Sequence, residues 1–168
     1  MTGSAAVQAQ AVRAHAVPGH PVQASAVSAR PVRGAALPGV LDLLGAARRG
    51  VAEAAVTPRA ADRYALAHLA ALRAAAAVLA ARSRPGSPGS ARRGPRSAWA
   101  LLAQAAPELG EWAGFFAAGA GKRAAAEAGL DVVTTREADD LLRDTETFLA
   151  LVDTTLGLYH QPSLPRVS

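Results

Sequence analysis

An arginine and a histidine with four residues between them, Arg63-Tyr64-Ala65-Leu66-Ala67-His68, are the first side chains in this sequence whose types suggest a reaction. A guanidinium can hold a phosphoryl oxyanion while an imidazole shuttles a proton, a pairing suited to metal-independent RNA cleavage. On one α-helix, residues five apart diverge by about 140° and lie about 7.5 Å apart along the axis. They could meet at one phosphate only with the help of a kink or a second subunit. The plainer reading leaves Arg63 on the surface and makes His68 a core histidine, on a stripe with Ala65 and Leu72.

Other candidates are weaker. Gly119-Ala120-Gly121-Lys122-Arg123 has some features of a phosphate loop. Phe116 occupies the position of its first glycine, however, and no Ser or Thr follows Lys122. A helix–helix turn is expected there. Asp139, Asp140, Asp144 and Glu146 are dense enough to interest a divalent cation, and Asp140 and Asp144 sit one turn apart. No second carboxylate helix complements them, so an outer face with an Asp139–Arg143 pair is expected. His15, His20 and His160 share no element, and the chain has no cysteine. No metal site and no cofactor are therefore expected. Arg82, Arg84, Arg92, Arg93 and Arg96 could attract nucleic acid by counterion release, although a solvated linker has the same composition.

These residues must be positioned by helices. Residues 1–37 contain no acid and repeat Ala-Val and Pro-Val units without a lasting period, so a disordered tail is expected. A basic, acid-poor N-terminus also fits an organelle transit peptide, and the bias toward Ala, Arg, Gly and Pro fits GC-rich coding. A first helix is predicted from Val40 to Ala55. Thr57 and Pro58 then start a second, which runs to Arg82 with Ala61, Ala65, His68, Leu72, Ala75 and Leu79 on one stripe. Residues 83–96, rich in Pro, Gly, Ser and Arg, are predicted to form a mobile basic loop. Ser97 caps a third helix, and Pro107 opens a fresh turn. Leu109, Trp112, Phe115 and Phe116 continue a buried face until Gly119 and Gly121 interrupt it. A short helix from Lys122 to Ala128 should close at Gly129. Thr134-Thr135-Arg136-Glu137 is a capping-box signature for the last helix, whose stripe runs from Ala138 to Tyr159.

Composition agrees with this. Of 168 residues, 51% are hydrophobic but only 4% aromatic, too few aromatics for a sheet-rich core. Alanine-lined helices can approach closely, with Trp99, Trp112, Phe115, Phe116 and Phe148 filling the remaining space. The longest uncharged stretches, such as Ala74 to Ala81 and Trp112 to Gly121, are too short to span a membrane. The fold class is therefore all-α: a four- to five-helix antiparallel up-and-down bundle over residues 38–160, with a C-terminal tail at 161–168. The net charge of +5 divides unevenly. Residues 97–160 carry four cations against ten acids, whereas the tail and the basic loop carry no acid at all.

Three blocks together carry a resemblance. The first is Ala61-Asp-Arg-Tyr-Ala-Leu-Ala-His-Leu-Ala-Ala-Leu-Arg-Ala-Ala-Ala-Ala-Val-Leu-Ala. The second joins Ser97-Ala-Trp-Ala-Leu-Leu-Ala to Pro107-Glu-Leu-Gly-Glu-Trp-Ala-Gly-Phe-Phe-Ala, and the third is Thr135-Arg-Glu-Ala-Asp-Asp-Leu-Leu-Arg. Over roughly residues 38–160 the chain resembles an actinobacterial family of small HEPN-domain proteins. The resemblance implies a helical bundle that is often dimeric. It also implies either an RNase with an Arg-x4–6-His motif, as in toxin, defence and RNA-processing systems, or a noncatalytic binding module. Arg63 and His68 match that spacing. The family's motif usually lies on a later helix, with a small or polar residue after the arginine; here it lies in the second helix and Tyr64 follows. The resemblance therefore favours a noncatalytic binding or regulatory module. The alternative is a metal-independent endoribonuclease using Arg63 and His68 across a homodimer. The expected partners are a second copy, a protein or an RNA, with no membrane, in the cytoplasm.

Overall fold

The computed structural model describes residues 37–83 and 97–158, and every described element is helical. The expected tail up to residue 36, residues 84–96 of the basic loop and the residues from 159 onward lie outside the described range. Helix α1 spans Leu37–Val56 and α2 Ala60–Arg82. After the undescribed stretch come α3 (Ala98–Ala105), a 3-10 turn at Pro107–Leu109, α4 (Gly110–Glu127) and α5 (Thr135–Thr155). Helix α1 starts three residues earlier than predicted, because Pro38 falls in its first turn, where no backbone N–H is required.

Helices α1, α2, α4 and α5 alternate in direction and form the up-and-down bundle. Gly50 and Ala46 of α1 face Ala70 and Arg73 of α2, an antiparallel register. Phe116 and Gly119 of α4 face His68 and Tyr64 of α2, also antiparallel. Helix α5 runs parallel to α2, since Asp139 meets Arg63 and the Thr145 hydroxyl donates to the Ala67 carbonyl. The short α3 lies beside α2, with Trp99 near His68 and the Ala105 carbonyl accepting from Arg82. Helix α2 is thus the hub of the bundle.

Alanine explains how one helix can touch four others. Ala67, Ala70, Ala71, Ala74, Ala75 and Ala77 of α2 are all fully buried. Methyl-sized side chains let helix axes approach closely at little cost in side-chain entropy, and alanine is the best helix former. The predicted stripe on α2 is therefore only partly correct. Leu72 and Leu79 are half-buried, and the buried face is turned toward the alanines. By length and apolar composition α2 would also suit a bilayer, but half of that stretch is buried inside the bundle.

Most helix ends follow local chemistry. The Ser97 hydroxyl accepts from the Ala100 N–H, and Thr134 and Glu137 form the full capping box. Gly129, at φ 82°, and Gly157, at φ 67°, end α4 and α5 in left-handed turns. In each turn the two following N–H groups bond back to carbonyls of the last turn: Gly129 to Ala126 and Leu130 to Ala125, then Gly157 to Thr154 and Leu158 to Asp153. Two expectations fail. Thr57 does not cap α2; its hydroxyl donates to the Glu53 carbonyl at the end of α1, and Arg59 occupies the cap position without a side-chain bond. Nor do Gly119 and Gly121 interrupt α4, which runs unbroken to Glu127. Gly119 is needed for a close approach instead, because a Cβ there would lie 2.9 Å from the Tyr64 hydroxyl.

Candidate functional site

The helical spacing sends Arg63 and His68 to different neighbours. Arg63 lies at the α1–α2 connection, where its Nε donates to the Thr57 carbonyl at 3.0 Å and Nη2 to the Pro58 carbonyl at 3.2 Å. Its remaining nitrogen pairs with Asp139 of α5, leaving the side chain 15% exposed. The expected Asp139–Arg143 pair is therefore replaced: Arg63 takes Asp139, while Asp140 lies between Arg136 and Arg143. No group of His, Asp and Glu among the described residues could hold a metal ion.

His68 lies on the other side of α2, 1% exposed. Trp99 and Phe116 meet it edge-on, with ring centroids at 5.6 and 5.8 Å, and Tyr64 stacks at 6.5 Å. Its Nε2 donates to the Phe116 carbonyl at 2.8 Å, which fixes a neutral tautomer with Nδ1 bare. Burial holds its pKa below the ordinary histidine value; the Phe116 carbonyl opposes that shift, and Arg123 adds to it.

Sequence reasoning does not find a second set of groups that the fold brings together. Tyr64 and His68 are one turn apart on α2, as Gly119 and Arg123 are on α4, and the two pairs face each other. Burial raises the Tyr64 phenol, and Glu137 raises it further. Lys122 bonds Glu137 and, with the Thr134 N–H, pulls that carboxyl down to about 2. Arg123 pairs with Glu127 along α4 at 3.2 Å. Its Nε is buried and, like His68 Nδ1, has no partner among the described residues. The one-turn spacing on both helices is visible in the sequence, but the facing of the two helices is not. Lys122 lies inside a continuous helix, so no phosphate loop or turn exists at 119–123.

Arg82 does not join a free basic surface. It donates to the Ala105 carbonyl at 2.6 Å and pairs with Glu108, tying the end of α2 to α3 and the turn after it. Arg84, Arg92, Arg93 and Arg96 lie outside the described residues.

The model of the SAV_6107-like HEPN family matches residues 54–153, from the last turn of α1 to near the end of α5. This chain belongs to that family. The HEPN match takes in α2 with Arg63 and His68, the aromatic cluster and the Thr134 capping box. No curated relative and no solved structure matches the chain. Within this HEPN bundle the Arg-x4-His spacing is present, with its arginine tied into an ion pair and its histidine buried.

Proposed function

We propose that this HEPN chain is a noncatalytic helical module, soluble and cytoplasmic, that binds a nucleic-acid or protein partner in nucleic-acid biology. One observation supports this reading above the others. The only histidine in the described bundle is 1% exposed, and its Nε2 is committed to the Phe116 carbonyl. A general acid or base needs hydrogen-bond reach to the reacting proton, and the burial of His68 weighs against that role.

Charge suggests where a nucleic acid would bind. Among the described residues acids outnumber cations, thirteen to ten, so the excess of cations falls in the segments around them. Arg84, Arg92, Arg93 and Arg96 are the densest group, and binding through them would be steeply salt-dependent and indifferent to sequence. The second reading, a metal-independent endoribonuclease, is favoured by the Arg63–His68 spacing alone.

The test is a mixed RNA pool incubated with the purified full chain in EDTA across a broad pH range. Intact RNA is expected, together with retention that weakens as salt rises and is lost when the four arginines become serine. Cleavage that disappears in a folded His68→Ala protein would establish the nuclease and remove the binding-module reading.

A further inference from the structure

His68 is the only histidine among the described residues, and histidine is the side chain whose ordinary titration falls between about pH 5 and 8. It also stands where the layer formed by α3 and α4 meets the hub helix. Its Nε2 donates to the Phe116 carbonyl of α4 at 2.8 Å, and Trp99 of α3 lies edge-on to it at 5.6 Å. Phe116 in turn stacks with Trp99 at 5.1 Å and with Trp112 at 6.0 Å. The imidazole therefore adjoins the ring stack that α3 and α4 share.

These surroundings suit the neutral ring. Nδ1 is buried without a partner, so a second ring proton would point into an apolar enclosure. Two charged side chains act on the ring, both from α4. Arg123 opposes a positive charge there and Glu127 favours one, and the two are paired with each other at 3.2 Å. Helix α3 contains no charged residue. Helix α5 brings the Thr145 hydroxyl, which donates to the Ala67 carbonyl beside His68, and Glu137, which acts on Tyr64 and is bonded by Lys122. On α2 itself Tyr64 is the neighbour one turn away, while Arg63 is drawn off to Asp139. Helix α1 packs farther along α2, at Ala70 and Arg73. With no carboxylate bonded to Nδ1, protonation leaves a buried cation that water could solvate far better.

The other three helices are joined without this residue. Arg73 of α2 donates to the Ala46 carbonyl of α1, Arg63 of α2 pairs with Asp139 of α5, and Arg48 of α1 donates to both carboxylate oxygens of Asp153 of α5. Helices α1, α2 and α5 are thus tied pairwise into a closed set. The α3–α4 layer is tied at its ends, by Arg82 to the Ala105 carbonyl and Glu108 and by Lys122 to Glu137, with His68 at its centre. We infer that His68 is an acid-sensitive latch: its protonation releases the α3–α4 layer from α2 while α1, α2 and α5 stay packed together. Because the open form takes up the proton more readily than the closed one, the open population grows as pH falls below about 6.5. The growth approaches tenfold per pH unit and ends where the closed form is itself protonated.

Amide hydrogen exchange of the full chain reads the latch directly. Once detached, α4 has 18 residues and four glycines, too weak a helix to persist alone, so release appears as faster exchange. Peptide-resolved exchange, corrected for the effect of pH on the chemical rate, is expected to rise about fivefold in α3 and α4 between pH 6.5 and pH 5.5. Over the same interval α1, α2 and α5 should hold their rates. His68→Met keeps an apolar side chain of similar bulk that cannot be charged, and it should abolish the rise. If that variant does not fold, the comparison between helices of the unaltered chain decides the question by itself. An equal rise in all five helices would mean that acid unfolds the whole bundle and would overturn the latch. So would rates in α3 and α4 that ignore pH, or a rise that persists in a folded His68→Met chain.

Discussion

The two sides of α2 hold their neighbours in opposite ways. Toward α1 the contact is made of small groups: Gly50 fits so closely that a Cβ there would stand 3.2 Å from the Ala70 methyl. Toward α3 and α4 it is made of rings: Phe116 is fully buried, with Trp99, Phe115 and Phe148 each 5.1 Å away by ring centroid. The first side gains stability from close backbone approach, the second from the large apolar area each ring removes from water. It follows that the alanine side should tolerate deletion and resist enlargement. The aromatic side should do the reverse.

The largest expected effect is on the aromatic side. Phe116→Ala removes the ring at the centre of the cluster and should destabilise the chain by about 3–5 kcal/mol in urea unfolding. A loss below about 1 kcal/mol would show that the rings are not what holds α4 in place. On the alanine side the informative change is enlargement. Gly50→Val should cost about 1–3 kcal/mol by forcing α1 away from Ala70, despite removing a helix glycine. If it is neutral, the close approach is not tight and the contrast between the two sides disappears.

Acid should weaken the aromatic side first. His68 has a lowered pKa in the folded chain, so the unfolded chain binds its proton more readily. Its contribution is fully present above the unfolded value near 6.5 and is lost as pH falls toward the folded value, by at most about 1.4 kcal/mol per pH unit. Unfolding measured between about pH 7.5 and pH 5 should show this slope, and His68→Met should flatten it. Glu137 is lowered as well, by its bonds from Lys122 and the Thr134 N–H. Held at about 2, it supports the fold above pH 4.5 and loses that support on further acidification. Its partly exposed side chain keeps the effect to about 1 kcal/mol or less.

The smallest effect separates two glycines one half-turn apart. Gly121 has open space around it, so Gly121→Ala should stabilise the chain by about 0.5–1 kcal/mol through helix propensity. Gly119→Ala meets the Tyr64 hydroxyl and should lose that gain or reverse it. Thermal melts of the two variants, run side by side, give the sign.

What can be read from the sequence divides along similar lines. Ser97, Gly129 and the Thr134–Glu137 box are legible because capping depends on residues three or four positions apart. The aromatic core is legible because large rings have few other places to go in a chain this poor in them. Where a partner lies far along the chain, local pattern is silent. Gly119 looks like a helix break because nothing nearby in sequence shows Tyr64 pressed against it. Arg143 is the obvious local mate for Asp139, yet the true partner, Arg63, lies 76 residues away. On α2 the leucines look like the buried stripe, a rule that holds until helices pack closely enough for alanine to displace them.

The connection between α1 and α2 has a consequence for the order of events in folding. Only Thr57, Pro58 and Arg59 separate the two helices, whereas α5 begins at Thr135, after every other helix has been synthesised. A short loop costs little entropy to close, so the α1–α2 hairpin should form early and α5 should dock late. Stopped-flow measurements should then show Ala70→Gly slowing refolding and Val152→Ala mainly speeding unfolding. During synthesis, the hairpin would wait with the alanines that later receive α5 still in water, and small methyl groups offer other chains little to hold.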